Sequence, residues 1–160
     1  MKIRLLFASF VALLAIAGSA VGAGAQSQTF VAHLSASEEV QTPAIVSNAQ
    51  GQAIFQLSDD GTALSYELVV ANIIDVQAAH IHLAPAGANG QVVAFLFHGP
   101  ATSGRTQGVL AQGTITAADL VGPLAGHPLS DLVSAMDAGG AYTNVHTTAH
   151  PAGEIRGQIR

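Results

Sequence analysis

The stretch Ala79-His80-Ile81-His82-Leu83 decides how this chain is read. It sits between two apolar runs rich in β-branched residues, so it reads as a strand. Side chains alternate faces along a strand. Ile81 and Leu83 then share one face, and His80 and His82 share the other. Two imidazoles two residues apart on one pleated face can reach a single metal ion or a single anionic group. Asn144-Val145-His146-Thr147, near the C-terminus, repeats the pattern and offers a third imidazole.

Outward from that strand, most of the chain divides into short strands separated by turns. Residues 29–34 form the first. Residues 52–57 and 63–70 form a hairpin around Ser58-Asp59-Asp60-Gly61, where glycine supplies a positive φ. After the His80 strand come strands at 92–97 and 109–115, with a Gly/Pro/Ser/Thr loop over 98–108. The last two strands are expected at 141–147 and 154–160, joined by Ala149-His150-Pro151-Ala152-Gly153.

One helical passage near 117–137 interrupts the strands. Thr116 and Asp119 suit its start. Leu129, Leu132, Val133 and Met136 recur at helical spacing within 128–137, between Pro128 and Gly139. About eight evenly spaced strands imply an all-β, antiparallel Greek-key sandwich or barrel with a short helical insertion. Its expected core comprises Phe30, Ile54, Phe55, Leu57, Leu68, Val70, Ile81, Leu83, Val93, Phe95, Ile115, Leu132, Met136, Val145, Ile155 and Ile159. Ile54 and Phe55 are adjacent and face opposite ways, so they compete for one place.

Residues 1–25 read as a cleaved signal peptide rather than part of the fold. Lys2 and Arg4 precede an apolar run from Leu5 to Ala17, and Ala23-Gly24-Ala25 has the small-residue pattern of a cleavage site. That run is shorter than the roughly 20 residues a membrane span needs, so no stable span is expected after removal. The expected location is secreted or periplasmic.

From Gln26 onward, three arginines face ten acidic residues, a net charge of −7, and there is no lysine. A chain so poor in basic residues cannot neutralise a phosphate backbone, so nucleic acid is excluded as a partner. The absence of cysteine excludes disulfides, thiolate metal ligands and thiol nucleophiles.

The candidate chemistry is therefore built on His80-x-His82, Asn144-x-His146 and Gly153-Glu154-Ile155-Arg156-Gly157. Imidazole suits copper, zinc, iron and nickel. The reading takes His80, His82 and His146 as metal ligands, with copper or zinc as the ion. Binding is then expected to weaken below about pH 6, as protons compete for the ring nitrogens. Asn144 and Glu154 are candidates for holding a second imidazole nitrogen. Arg156 either pairs with Glu154 or caps loop carbonyls. Glu39 lies in a Pro-containing loop that can fold back toward the site. His82, on the face away from the core, is expected to be replaceable without loss of the fold. Gly-x-Ser-x-Gly, His-Glu-x-x-His and phosphate-cradling glycine motifs are absent, so no catalytic residues are assigned.

Phe30-Val31-Ala32-x-Leu34 with Glu39, Ala79-His80-Ile81-His82, Asn89-Gly90, Ala141-Tyr142-x-Asn144-Val145-His146-Thr147 and Gly153-Glu154-Ile155-Arg156-Gly157-Gln158-Ile159 together resemble the CHRD domain, named from chordin and common in secreted bacterial proteins. The resemblance spans nearly all of 28–160. It implies a β-sandwich behind a signal peptide, with no established reaction. The Greek-key barrel of Cu/Zn superoxide dismutase is a looser fold-level analogy, since this chain lacks that enzyme's cysteines and a bridging His-Asp pair.

Two readings of function follow. One is a metal-binding domain. The other is an extracellular interaction module whose histidines only organise loops, with an unknown protein or small ligand as partner. The leader is checked directly: intact mass of the exported protein should place its N-terminus near Gln26, and retention of 1–25 in a membrane fraction would contradict cleavage.

Overall fold

In the computed structural model, residues 28–160 are described, and the expected signal peptide lies outside them. The described chain forms eight strands: β1 (Thr29–Ser35), β2 (Gln50–Leu57), β3 (Leu64–Ile74), β4 (Val76–Leu83), β5 (Gln91–Phe97), β6 (Arg105–Ile115), β7 (Ala141–Thr147) and β8 (Ile155–Gln158). They make one antiparallel sheet in the order β5-β4-β7-β8-β1-β2-β3-β6. The sheet curls until its two edges approach, so the architecture is a nearly closed barrel. The seam between β5 and β6 is bridged by Tyr66 Oη donating to the Leu96 carbonyl at 2.8 Å. The Val121 N–H also donates to the Val93 carbonyl at 2.9 Å.

The sheet order requires β3 and β4, neighbours in sequence, to lie far apart in the sheet. Asp75 alone separates them. It adopts φ 53°, and Asn72 just before it adopts φ 57°. Both are residue types that tolerate the left-handed region, because a short polar side chain can bond locally. Asp75 is held there by distant segments: its Oδ1 accepts the Gly104 N–H and its carbonyl accepts the Thr148 N–H. The result is a corner at which one long strand leaves β6 and joins β5 and β7, the device by which strands change layers in β-sandwiches.

The core is the inward set of this alternation. Phe30, Phe55, Leu68, Val70, Ile81, Val93, Ile115, Val145, Ile155 and Ile159 are buried as expected. Two expected core residues are exposed instead. Phe55 takes the inward place on β2, leaving Ile54 on the outer face between Val31 and Glu67. On β5, Leu96 and the adjacent pair Val93 and Ala94 are buried, and Phe95 faces out, 45% exposed. Register shifts in the β4–β5 pairing account for two consecutive buried residues there. Leu57 and Leu83 only pack against the margin of the core.

The helical passage is broken. Thr116 and Asp119 bond to each other, but they open a single 3-10 turn at Ala117–Asp119. A second turn follows at Gly122–Leu124. The only α-helix among the described residues, α1, runs Leu129–Asp137, with Pro128 just before it. Gly122, Pro123, Gly126 and Pro128 punctuate the passage, which is why one helix does not form. Leu129, Leu132, Val133 and Met136 bury the apolar stripe of α1. Gly139, at φ 65°, closes it: the Gly139 N–H reaches the Met136 carbonyl and the Gly140 N–H reaches the Ala135 carbonyl, a Schellman arrangement. Among the described residues no helix is long and apolar enough to cross a membrane.

Strand β8 is short and lies close to β1. A Cβ at Gly157 would collide with the backbone carbonyl of His33. Gly157→Ala should therefore push the two strands apart and cost about 1–3 kcal/mol. A lowered urea midpoint with an unchanged slope would register this, and an unchanged midpoint would show that β1 and β8 are not in close contact.

Candidate metal centre

Strand β7 lies between β4 and β8, and this places the histidine segments together. The register sets His80 opposite Asn144 and Asn144 opposite Arg156. It also sets His82 opposite Tyr142, Tyr142 opposite Gln158, and Ala78 opposite His146. These polar side chains lie on the outside of the barrel, yet Asn144 and Arg156 are only 3% and 2% exposed. Two loops cover them. From one, Gln41 Nε2 donates to the Gly153 carbonyl. From the other, the Pro85 and Ala88 carbonyls and Asn89 Oδ1 accept bonds from Arg156 at 3.3, 2.8 and 3.2 Å. Asn89 Nδ2 then donates to the Val40 carbonyl and ties the two loops together. The chain thus has a polar layer outside its apolar core.

His80, His82 and His146 each offer one ring nitrogen, and the three atoms lie within 4.8 Å of one another. Their tautomers follow from their partners, since a carbonyl only accepts. His82 Nδ1 lies 2.9 Å from the Gly90 carbonyl, so it carries the proton and Nε2 is bare. His146 Nδ1 lies 3.0 Å from the Pro151 carbonyl, so its Nε2 is bare too. His80 Nδ1, 3.0 Å from His146 Nε2, must then be the donor in that pair. The Nε2 of His82 is buried without a hydrogen-bond partner among the described residues. A buried lone pair left unmatched is costly, and it is what a metal ligand presents. The donor set therefore fits a transition-metal ion: three neutral imidazoles, two with tautomers set by backbone carbonyls and His80 with its proton shared toward His146, a proton that a bound metal would displace.

Burial keeps the rings neutral. It pushes His80 down to about 4, with smaller contributions from His146, His82 and His98. Burial also lowers His82, against the opposing contacts with the Gly90 carbonyl and the Asn144 side chain, and the Arg156 charge lowers it slightly further. His146 is lowered likewise, against its bond to the Pro151 carbonyl. Phe95 stands edge-on to His80, with centroids 5.1 Å apart, and forms the exposed rim of the cluster.

Other expected site residues take different places. The Gly90 and Pro151 carbonyls hold imidazole nitrogens, the Asn144 side chain lies against His82 and favours its charged form, and Glu154 is engaged elsewhere. Glu154 accepts the Ser47 and Thr147 hydroxyls at 2.6 and 2.7 Å. Arg156 does not pair with Glu154. It caps the 85–89 carbonyls and lies over the Tyr142 ring at 3.4 Å. Glu39 folds back against Gly153, where a Cβ would collide with its Oε1 and press on Asn144 Nδ2. Burial raises the Glu39 pKa, against Gln41, Arg156 and His150.

His82 is on the outer face, as expected, but is only 8% exposed and stacks on Tyr142 at 4.8 Å and 9°. Its removal would open a hole, so it is not replaceable without structural cost. Tyr142 was legible from its two-residue spacing to Asn144, whereas the Gly90 and Pro151 carbonyls leave no side-chain signal. A groove of about 640 Å³, lined by residues such as Asn72, Arg105 and His150, includes none of the three histidines.

The depressed pKa values move the expected pH window. Between about pH 6.5 and 4, the unfolded chain binds a proton at His80 and the folded chain does not. Stability of the metal-free protein should be full above about pH 6.5 and fall as pH drops toward 4. Proton competition with a metal therefore begins lower than the pH 6 expected for ordinary imidazoles. Urea midpoints measured from pH 7 to pH 4 check this: His80→Gln should flatten the slope, and an unchanged slope would show that His80 is protonated normally.

A family model for the CHRD domain matches residues 30–159. Searches of curated proteins and of solved structures return no match. The matched segment contains all eight strands apart from the first residue of β1, together with all three histidines. The chain belongs to the CHRD domain family.

Proposed function

We propose that this CHRD domain binds one transition-metal ion, copper or zinc, through His80, His82 and His146, as an extracytoplasmic protein released from a leader at 1–25. The observation that carries the reading is the bare, buried Nε2 of His82 beside two other imidazoles whose ligand nitrogens lie within 4.8 Å. If the histidines only organised loops, the carbonyl bonds through Nδ1 would suffice, and nothing would favour leaving Nε2 without a partner. That weighs against the interaction-module reading. Three protein ligands leave a coordination position for a further group. Asn144 borders the site and Arg156 braces the loop that supplies the Gly90 carbonyl. Glu39 backs Asn144, and Glu154 anchors the turn that supplies the Pro151 carbonyl. No reaction is assigned.

The test is titration of untagged, metal-free protein with Cu(II) and Zn(II). The wild type should bind one equivalent, and the His80/His82/His146→Ala variant should lose at least 100-fold in affinity, a loss of about 2.7 kcal/mol or more. Equal, weak binding by both proteins would remove the metal reading.

A further inference from the structure

Arg156 is the most unusual side chain in the molecule. It is 2% exposed, and no carboxylate lies within 4.0 Å of it among the described residues. Buried charges are ordinarily paired, because leaving water is costly. Here the guanidinium has two carbonyls, one amide oxygen and the Tyr142 ring, all of them neutral. Glu39 is the acid whose charge it feels, and that carboxylate is directed at Gly153. The positive charge is held in place and opposed by Glu39 only from beyond ion-pair distance.

That charge stands beside the metal centre. Tyr142 stacks on His82 from one neighbouring strand and lies under Arg156 from the other. Guanidinium and imidazole are thus on the order of 8 Å apart across the ring, a range over which unit charges interact appreciably in a low-dielectric layer. The three ligands are neutral, and no carboxylate joins them in the cluster. A divalent cation placed there would meet a cation opposed only at a distance by Glu39, and no anion among its ligands.

Resting on the metal reading above, we propose that the site takes a small monovalent anion together with its metal ion, and that Arg156 makes the two bind cooperatively. The anion occupies the position the three histidines leave free. It is a compact lone-pair donor, because the polar layer around the site is closed by two loops. Its charge offsets both the metal and the guanidinium. Arg156 contacts neither ion; it acts through the field it sets up, so it is a positioning residue. Coupling between two ligands is reciprocal: an anion that tightens metal binding is itself bound more tightly with the metal present.

Azide is the probe, with Cu(II) as the metal. Azide added to the copper-loaded wild type should produce an azide-to-copper charge-transfer band and change the copper EPR spectrum. Saturating azide should raise copper affinity about tenfold. Arg156→Gln should abolish that gain, read as the ratio of copper affinities with and without azide in the same variant; a merely structural role would lower both affinities and leave the ratio unchanged. Glu39→Gln, which removes the negative charge facing the guanidinium and leaves Arg156 in place, should enlarge the gain and serves if Arg156→Gln fails to fold. Copper binding with an EPR spectrum indifferent to azide would overturn the anion proposal and leave the metal site standing. So would an undiminished gain in folded Arg156→Gln, or a gain not enlarged in Glu39→Gln. Loss of copper binding altogether, with wild type matching the triple histidine variant, would overturn both.

Discussion

The contact between the Arg156 guanidinium and the face of Tyr142 ties together the parts of this protein that matter for its chemistry. Arg156 reaches from β8 across β7 and grips the carbonyls that follow β4. The loop it holds ends at Gly90, whose carbonyl sets the proton on His82 and whose N–H donates to Tyr142 Oη. Gly90 can take this place because a Cβ there would run into the Leu83 carbonyl. One buried cation thus fixes a loop, the loop fixes a tautomer, and the tautomer leaves a nitrogen bare. Planar stacking together with several directed donors is a role suited to arginine and not to lysine.

The outer polar layer works by a different logic from the barrel interior. Inside, Ile81, Val145 and Ile155 are buried as apolar neighbours, with no direction to satisfy. Outside, each buried polar group needs a partner, and most find one in a loop carbonyl or hydroxyl. Three of the exceptions lie around the site: His82 Nε2, Asn144 Oδ1 and Glu39 Oε1 are buried without a bond among the described residues, as are Thr143 Oγ1 and Gln158 Oε1 elsewhere. Such groups usually answer to something other than the fold, and their grouping beside three imidazoles is what separates this layer from ordinary loop packing.

Much of this was legible in the sequence. Two-residue spacing placed His80 with His82, and Asn144 with His146, and turn chemistry gave the strand count. Periodicity failed where the backbone departs from regularity. Phe95 and Ile54 looked like core residues by composition, but register shifts and the choice of Phe55 over Ile54 turned them outward. The strand through Ile73 and Ile74 was read as ending early, because no residue pattern announces a corner made by Asn72 and Asp75. The part of the site that backbone carbonyls supply was invisible for a simpler reason: every residue has a carbonyl. Of the two roles the sequence left open for Arg156, capping loop carbonyls is the one it takes, while Glu154 accepts the Ser47 and Thr147 hydroxyls, because the loops offer each a better partner than the other.

The corner at Asp75 has a consequence for how the protein is made. It sends β4 away from the strands that precede it, to a place where its partner β7 is still unsynthesised. His80 and His146 are 66 residues apart in the chain, and the pairing that unites them closes one of the longest loops in the fold. Non-local pairings of this kind are late and slow steps in folding. The first meander, β1 through β3, can form on its own contacts, but three histidines meet only once the C-terminal hairpin has docked. A chain truncated before β7 would keep two of the three imidazoles and lack the strand that brings the third to them.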